Sequence, residues 1–163
     1  MRTAVCSGSF DPITLGHLDI IRRGAACFDK IYVCVSPNAE KTNQMFTPEQ
    51  KLCLVREAVA ELPNVEAELY GGLLADYAVS KGASVIVRGV RNGTDYDAEA
   101  QLAAINQSIH PQLETLLLPA SPAYQYFSSS MAREMIRYRQ PLEKYLPASI
   151  IPLVREMLEN KGE

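Results

Sequence analysis

The sequence predicts an α/β fold, an open and doubly wound sheet of five parallel strands, in one domain of 163 residues. Three observations lead there. Short apolar runs alternate with amphipathic segments along the whole chain. The runs are rich in Val, Ile and Leu and nearly free of charge, as parallel strands covered on both faces should be. The segments between them carry helix start and stop signals.

Strands are expected over residues 3–7, 31–35, 65–69, 84–87 and 114–118. After the first strand, residues 17–28 place Ile20, Ile21 and Phe28 along one apolar side of a helix. Thr47-Pro48-Glu49-Gln50 is a helix start, with a capping Thr, Pro at the first helical position and Gln three residues after the cap. That helix should run to about residue 61. A third helix, 73–81, ends before Gly82, a residue type suited to the position after a helix end. A fourth, 95–108, is expected to turn Leu102 and Ile105 inward, and helices at 130–138 and 152–160 follow the last strand. Right-handed crossovers bring the strand C-terminal ends to one edge, where such sheets bind ligands. No low-complexity stretch, repeat or linker divides residues 1–163, so a single domain is expected.

Hydrophobic residues make up 47% of the chain, enough for a sizeable core at this length. The net charge of -3 makes it a poor bulk binder of nucleic acid or anionic lipid, so an anionic ligand needs a local basic site. The start, Met1-Arg2-Thr3-Ala4-Val5-Cys6, is too short and too quickly polar for a secretory signal. No apolar run approaches the length of a membrane span. The cysteines, Cys6, Cys27, Cys34 and Cys53, form no CxxC pair, and Cys6 and Cys34 fall in strand-like runs. They are expected to be reduced and buried, which points to the cytoplasm.

Three segments carry chemistry. Gly8-Ser9-Phe10-Asp11-Pro12-Ile13-Thr14-Leu15-Gly16-His17 joins the first strand to the first helix. Gly8 permits close backbone approach, and the helix start offers free N–H groups and a positive dipole end to a phosphate. His17 stands in the first turn, where an imidazole can donate to a phosphoryl oxygen. The plainer reading is a Gly/Pro-shaped turn with a capping histidine. The joint occurrence of all these spacings at a strand-to-helix junction favours function.

The second segment is Arg88-Gly89-Val90-Arg91-Asn92-Gly93-Thr94-Asp95-Tyr96-Asp97-Ala98-Glu99. Two arginines flank Gly89 at a strand end and can clamp phosphate oxygens, with Glu99 one turn beyond Asp95. Taken alone, a charged loop solvating a helix start explains it equally well. The third is Tyr124-Gln125-Tyr126-Phe127-Ser128-Ser129-Ser130. Capping needs one hydroxyl; three, beside a second helix start, suit another phosphate cradle.

Thr14-Leu15-Gly16-His17 resembles the (H/T)xGH signature of the nucleotidylyltransferase superfamily, with the Thr typical of its phosphopantetheine branch. The second segment resembles the RGxRxxxDxxxE block of the phosphopantetheine adenylyltransferases, and Phe127-Ser128-Ser129-Ser130 resembles their ISSS motif with Phe in place of Ile. Ser9 stands where that family commonly has Thr, and the loop between Lys41 and Phe46 is one residue longer. The likeness runs from Thr3 to about Glu156. It implies a Rossmann-like nucleotidylyltransferase fold and transfer of the adenylyl group of ATP to 4′-phosphopantetheine, giving dephospho-coenzyme A and pyrophosphate.

By the same resemblance, His17 stabilises the transition state with Lys41 and Arg91, while Ser9, Lys41, Leu74 and Arg88 bind the acceptor. Ser9, Phe10, His17, Gly89, Val90, Arg91 and Glu99 would bind ATP, together with residues 124–130, that is Tyr124, Gln125, Tyr126, Phe127, Ser128, Ser129 and Ser130. Leu73 and Leu74 read equally well as core. Mg²⁺ is expected with the nucleotide rather than in a carboxylate cage, and a homohexamer is implied. Two other readings stay open. The same fold serves adenylyl transfer to nicotinate mononucleotide and cytidylyl transfer to a polyol phosphate, and a nucleotide sensor would bind ATP without releasing pyrophosphate.

Overall fold

The computed structural model describes residues 1–37 and 43–162 of the chain. In order, the elements are β1 (Thr3–Gly8), α1 (Leu15–Cys27), β2 (Lys30–Val35), α2 (Pro48–Ala58), β3 (Val65–Leu69), α3 (Leu74–Ser80), β4 (Val85–Val90), α4 (Gly93–Ile109), β5 (Glu114–Pro119), α5 (Ser129–Arg137) and α6 (Ile151–Glu159). The strands form one parallel sheet in the order β3-β2-β1-β4-β5. The order reverses between β1 and β4, so the loops leaving these two strands diverge and open a crevice at their C-terminal ends.

The central strands are apolar because both their faces are covered. Ala4, Val33, Ile31 and Val87 pack with Leu18, Ile21, Leu54 and Val55 of α1 and α2 and with Ile150 and Val154 beside and on α6. Val5, Cys34 and Ile86 face the opposite layer, against Ala75, Tyr77 and Ala78 of α3. Each fully buried Val, Ile or Leu contributes about 1.5–3 kcal/mol of transfer free energy. Local signals set the helix ends. Thr47 accepts from the Gln50 N–H and Pro48 opens α2. Gly82, just past the α3 cap, takes a left-handed φ of 66° that a side chain would disfavour.

Three sequence expectations are corrected. β4 does not stop at residue 87, because Arg88, Gly89 and Val90 go on pairing with β5. Leu102 and Ile105 do not turn inward, being 47% and 53% exposed. α4 lies beside α3 over the sheet edge at β5 and has no buried residue, so its apolar side is covered by no described element. Cys27 and Cys53 are exposed rather than buried. Cys27 ends α1, and Cys53 falls out of phase with the buried Lys51, Leu54, Val55 and Ala58 of α2. Cys6 and Cys34 are buried, and all four thiols are free.

Candidate active site

At the crevice between β1 and β4 lies a cavity of about 710 Å³. Its first wall is the β1–α1 loop. A Cβ at Gly8 would stand 2.9 Å from the Phe10 ring, so that ring folds back over a glycine backbone. Thr14 caps α1 through a reciprocal box: its Oγ1 accepts from the His17 N–H at 3.3 Å, and its own N–H donates to His17 Nδ1 at 3.0 Å. A backbone N–H can only donate, so Nδ1 is an acceptor and the neutral ring carries its proton on Nε2. Burial, with Arg91 and Arg88 nearby, pulls the His17 pKa down to about 4. His17 is therefore a neutral hydrogen-bond donor at pH 7, set in the cavity wall.

The second wall is the end of β4 and the start of α4. Arg88 donates from Nε and Nη2 to Glu99 at 2.8 and 2.7 Å, and from Nη1 to the Ser7 carbonyl and hydroxyl at 2.5 and 2.6 Å. Burial opposes its charge, but the Glu99 carboxylate prevails and the guanidinium pKa goes up. Arg91 forks onto Asp95, from Nε at 2.8 Å and Nη2 at 3.2 Å, and reaches the Phe127 carbonyl from Nη1 at 3.1 Å. That fork holds the Asp95 pKa below its ordinary value. Both arginines thus stand at the cavity with partly compensated charge.

The third wall is α5. Ser128 caps it, accepting from the Met131 N–H at 3.0 Å. Ser129 is buried and donates to the Pro12 carbonyl at 2.9 Å, which ties α5 to the first loop. Ser130 is exposed, and its hydroxyl accepts from Arg133 Nη2 at 3.1 Å. The three hydroxyls therefore have three different tasks.

Of the residues expected at the site, Ser9, Phe10, His17, Arg88, Gly89 and Arg91 line this cavity. So do Glu99, Tyr124, Phe127 and the three serines. Val90, Gln125 and Tyr126 do not line it, and Tyr126 is 84% exposed. Leu74 packs against the α3-side core, away from the cavity lining. Lys41 lies outside the described residues. Sequence reasoning gave no role to Asp11, Lys51 and Arg133, which also line the cavity. A signal existed for Lys51: it occupies the same helical phase as Leu54, Val55 and Ala58, an apolar stripe where a lysine is out of place.

Among the described residues, the carboxylates that line the cavity are all engaged. Asp11 accepts from the Met45 and Phe46 N–H groups at 2.9 Å each, Asp95 from Arg91 and Glu99 from Arg88. Among the described residues no group of three or more His, Cys, Asp or Glu side chains is placed to hold a metal ion. No helix among them is long and apolar enough to cross a membrane.

Comparison with known proteins agrees with this geometry. Residues 5–135 match the cytidylyltransferase-like family. A phosphopantetheine adenylyltransferase of Rhizorhabdus wittichii is 42% identical over 163 residues, covering 100% of this chain and 98% of the relative. One from Geotalea daltonii is 42% identical over 161 residues, covering 99% and 97%. A crystal structure from Vibrio parahaemolyticus, described as a putative nicotinate-nucleotide adenylyltransferase, superposes with a TM-score of 0.70 at 20% identity, over 99% of this chain and 94% of that one. That likeness concerns the fold alone. With near-complete coverage at this identity, and with its motifs gathered on one crevice, the chain belongs to the phosphopantetheine adenylyltransferase family of nucleotidyltransferases.

Proposed function

We propose that this enzyme transfers the adenylyl group of ATP to 4′-phosphopantetheine, forming dephospho-coenzyme A and pyrophosphate. A phosphate oxygen of the acceptor bonds to the α-phosphorus, and the bond from that phosphorus to the bridging oxygen of pyrophosphate breaks with its electron pair. The nucleophile is already ionised, so alignment and charge stabilisation suffice. The neutral His17, with its proton on Nε2, carries the reading: it donates to the α-phosphoryl oxygens without a protonation step. Arg91, the hydroxyls of Ser128 and Ser130, which accept in the fold and keep their protons to donate, and the N–H groups at the start of α5 hold the ATP phosphates, with Ser9, Phe10, Gly89 and Glu99 on the nucleotide side. Arg88 and Lys41 hold the acceptor phosphate. Arg88 does so with the second N–H of Nη2, since its other four N–H groups already donate to Glu99 and Ser7. Among the described residues the carboxylates at the cavity already hold protein groups, which supports a Mg²⁺ that arrives on the ATP oxygens.

Release of pyrophosphate by purified protein with ATP, Mg²⁺ and a panel of acceptors tests this. 4′-Phosphopantetheine should turn over far faster than nicotinate mononucleotide or glycerol phosphate. Faster turnover of nicotinate mononucleotide would overturn the acceptor while leaving the role of His17 intact.

The homohexamer implied by the resemblance is supported by α4, which has no buried residue in the monomer and exposes Leu102, Ile105 and Ile109 beside Leu116 of β5. Ile105→Glu should convert a hexameric species to smaller ones in sedimentation velocity, and an unchanged profile would place the interface elsewhere. Four free thiols, two of them exposed, support a reducing compartment and hence the cytoplasm. The net charge supports small-molecule rather than nucleic-acid partners.

A further inference from the structure

Lys51 is fully buried, on the α2 face it shares with Leu54 and Val55. A methionine would fill such a position with no charge to desolvate. What the ammonium adds is its hydrogen bonds: Nζ donates to the Ser36 carbonyl at 3.2 Å and to Gln44 Oε1 at 3.3 Å. Gln44 in turn donates from Nε2 to the Pro37 carbonyl at 3.2 Å. Ser36 and Pro37 leave β2, and Gln44 approaches α2, so this pair closes the base of the β2–α2 connection. The returning chain is fixed again at the next two residues. The Asp11 carboxylate accepts the Met45 and Phe46 N–H groups, and Arg133 holds Asp11 through its carbonyl at 2.8 Å and its carboxylate at 3.5 Å. From the end of α6, Lys161 Nζ donates to the Met45 carbonyl and sits over the Phe46 ring.

We infer that Lys51 and Gln44 are positioning residues that fix both ends of the β2–α2 connection at the cavity and so set the acceptor side of the site. Asp11 anchors the same segment from the first wall. Lys51, Gln44 and Asp11 all line the cavity, and Asp11 belongs to the loop that presents His17. The clamp therefore couples acceptor placement to the α-phosphoryl site. The inference rests on the proposed reaction, in which Lys41, between the two held ends in sequence, serves the acceptor phosphate.

Steady-state kinetics on the whole protein test it, with ATP and 4′-phosphopantetheine varied separately in wild type, Lys51→Met, Lys51→Arg and Gln44→Ala. Lys51→Met should raise the KM for phosphopantetheine by about tenfold or more, as expected for losing hydrogen bonds to a charged group. The KM for ATP should change by less than about threefold, and Lys51→Arg should restore the acceptor KM to within about threefold. Gln44→Ala, at a half-buried position, should follow Lys51→Met in direction and decides the matter if Lys51→Met fails to fold. Equal rises in both KM values, or failure of Arg to restore, would overturn the inference. So would an unaffected Gln44→Ala beside an inactive Lys51→Met, which would mean that Lys51 touches substrate itself. Hydrogen exchange over residues 43–46 without substrate separates this from the assigned reaction. Faster exchange in the variants, with no turnover by wild type, would keep the clamp and sink only the reaction.

Discussion

Two helices of this protein begin in the same way and serve different ends. α1 and α2 each open on a threonine whose hydroxyl accepts the N–H three residues on, at 3.3 Å from His17 and 3.2 Å from Gln50. Each third residue returns the favour to the threonine N–H, through Nδ1 of His17 and Oε1 of Gln50, both at 3.0 Å. The mechanics are alike. Gln50 spends its carbonyl oxygen on the cap at an exposed helix start. His17 spends one ring nitrogen and keeps a second, carrying a proton, at the wall of the 710 Å³ cavity. A capping box is thus a local device, and under the proposed function it joins the reaction site where its third residue has a second functional atom and the helix starts at the switch point of the sheet.

Turning the first box into the second gives the largest effect. In His17→Gln the amide reaches back to the Thr14 N–H as Gln50 does for Thr47, so the melting temperature should stay close to wild type. kcat should fall by roughly 100-fold or more, the scale of losing one transition-state donor. Retained kcat in that variant would show that His17 only caps. A large fall in melting temperature would show that the two boxes are not mechanically equivalent.

The same variant sharpens the comparison through pH. The native His17 pKa of about 4 lies below the ordinary value near 6.5 that the unfolded chain should show. Between these values the unfolded chain takes up a proton that the native state refuses, so the histidine lowers stability as pH falls from about 6.5 toward 4. His17→Gln lacks that proton. Its melting temperature should drop less than wild type between pH 7 and pH 4.5, read by scanning calorimetry. Parallel curves would mean that His17 titrates normally in the folded protein.

The smallest effect belongs to the second box. Thr47→Ala should cost about 1 kcal/mol in denaturant unfolding, the usual worth of an N-cap hydroxyl, and leave kcat unchanged. A matching loss of kcat would tie the α2 start to the chemistry and dissolve the contrast.

Much of this was legible in the chain. The parallel strands showed as uncharged Val/Ile/Leu runs because two covered faces leave no place for charge, and α2 showed through Thr47, Pro48 and Gln50 because capping is local. The cavity walls showed as three motifs because phosphate recognition uses short backbone-and-side-chain units at strand-to-helix junctions.

What needed the tertiary structure are the pairings between distant segments. Arg88 reads from sequence as a free clamp, but Glu99, 11 residues on, and Ser7, 81 residues back, occupy its nitrogens, a state that depends on β1 and β4 lying side by side. Lys51 falls on the apolar stripe of α2 in sequence, but only the tertiary structure supplies the Ser36 carbonyl and Gln44 amide oxygen that receive its buried ammonium. The apolar positions of α4 have a helical period whichever way they face. Periodicity marks an apolar side without naming what covers it, and only the packing over the edge strand shows Leu102 and Ile105 turned outward. Local sequence determined which segments are strands, helices and cavity-lining loops, since those depend on residues a few positions apart. Charge compensation and the choice between inward and outward faces depend on what the chain brings across tens of residues, and these the tertiary structure decided.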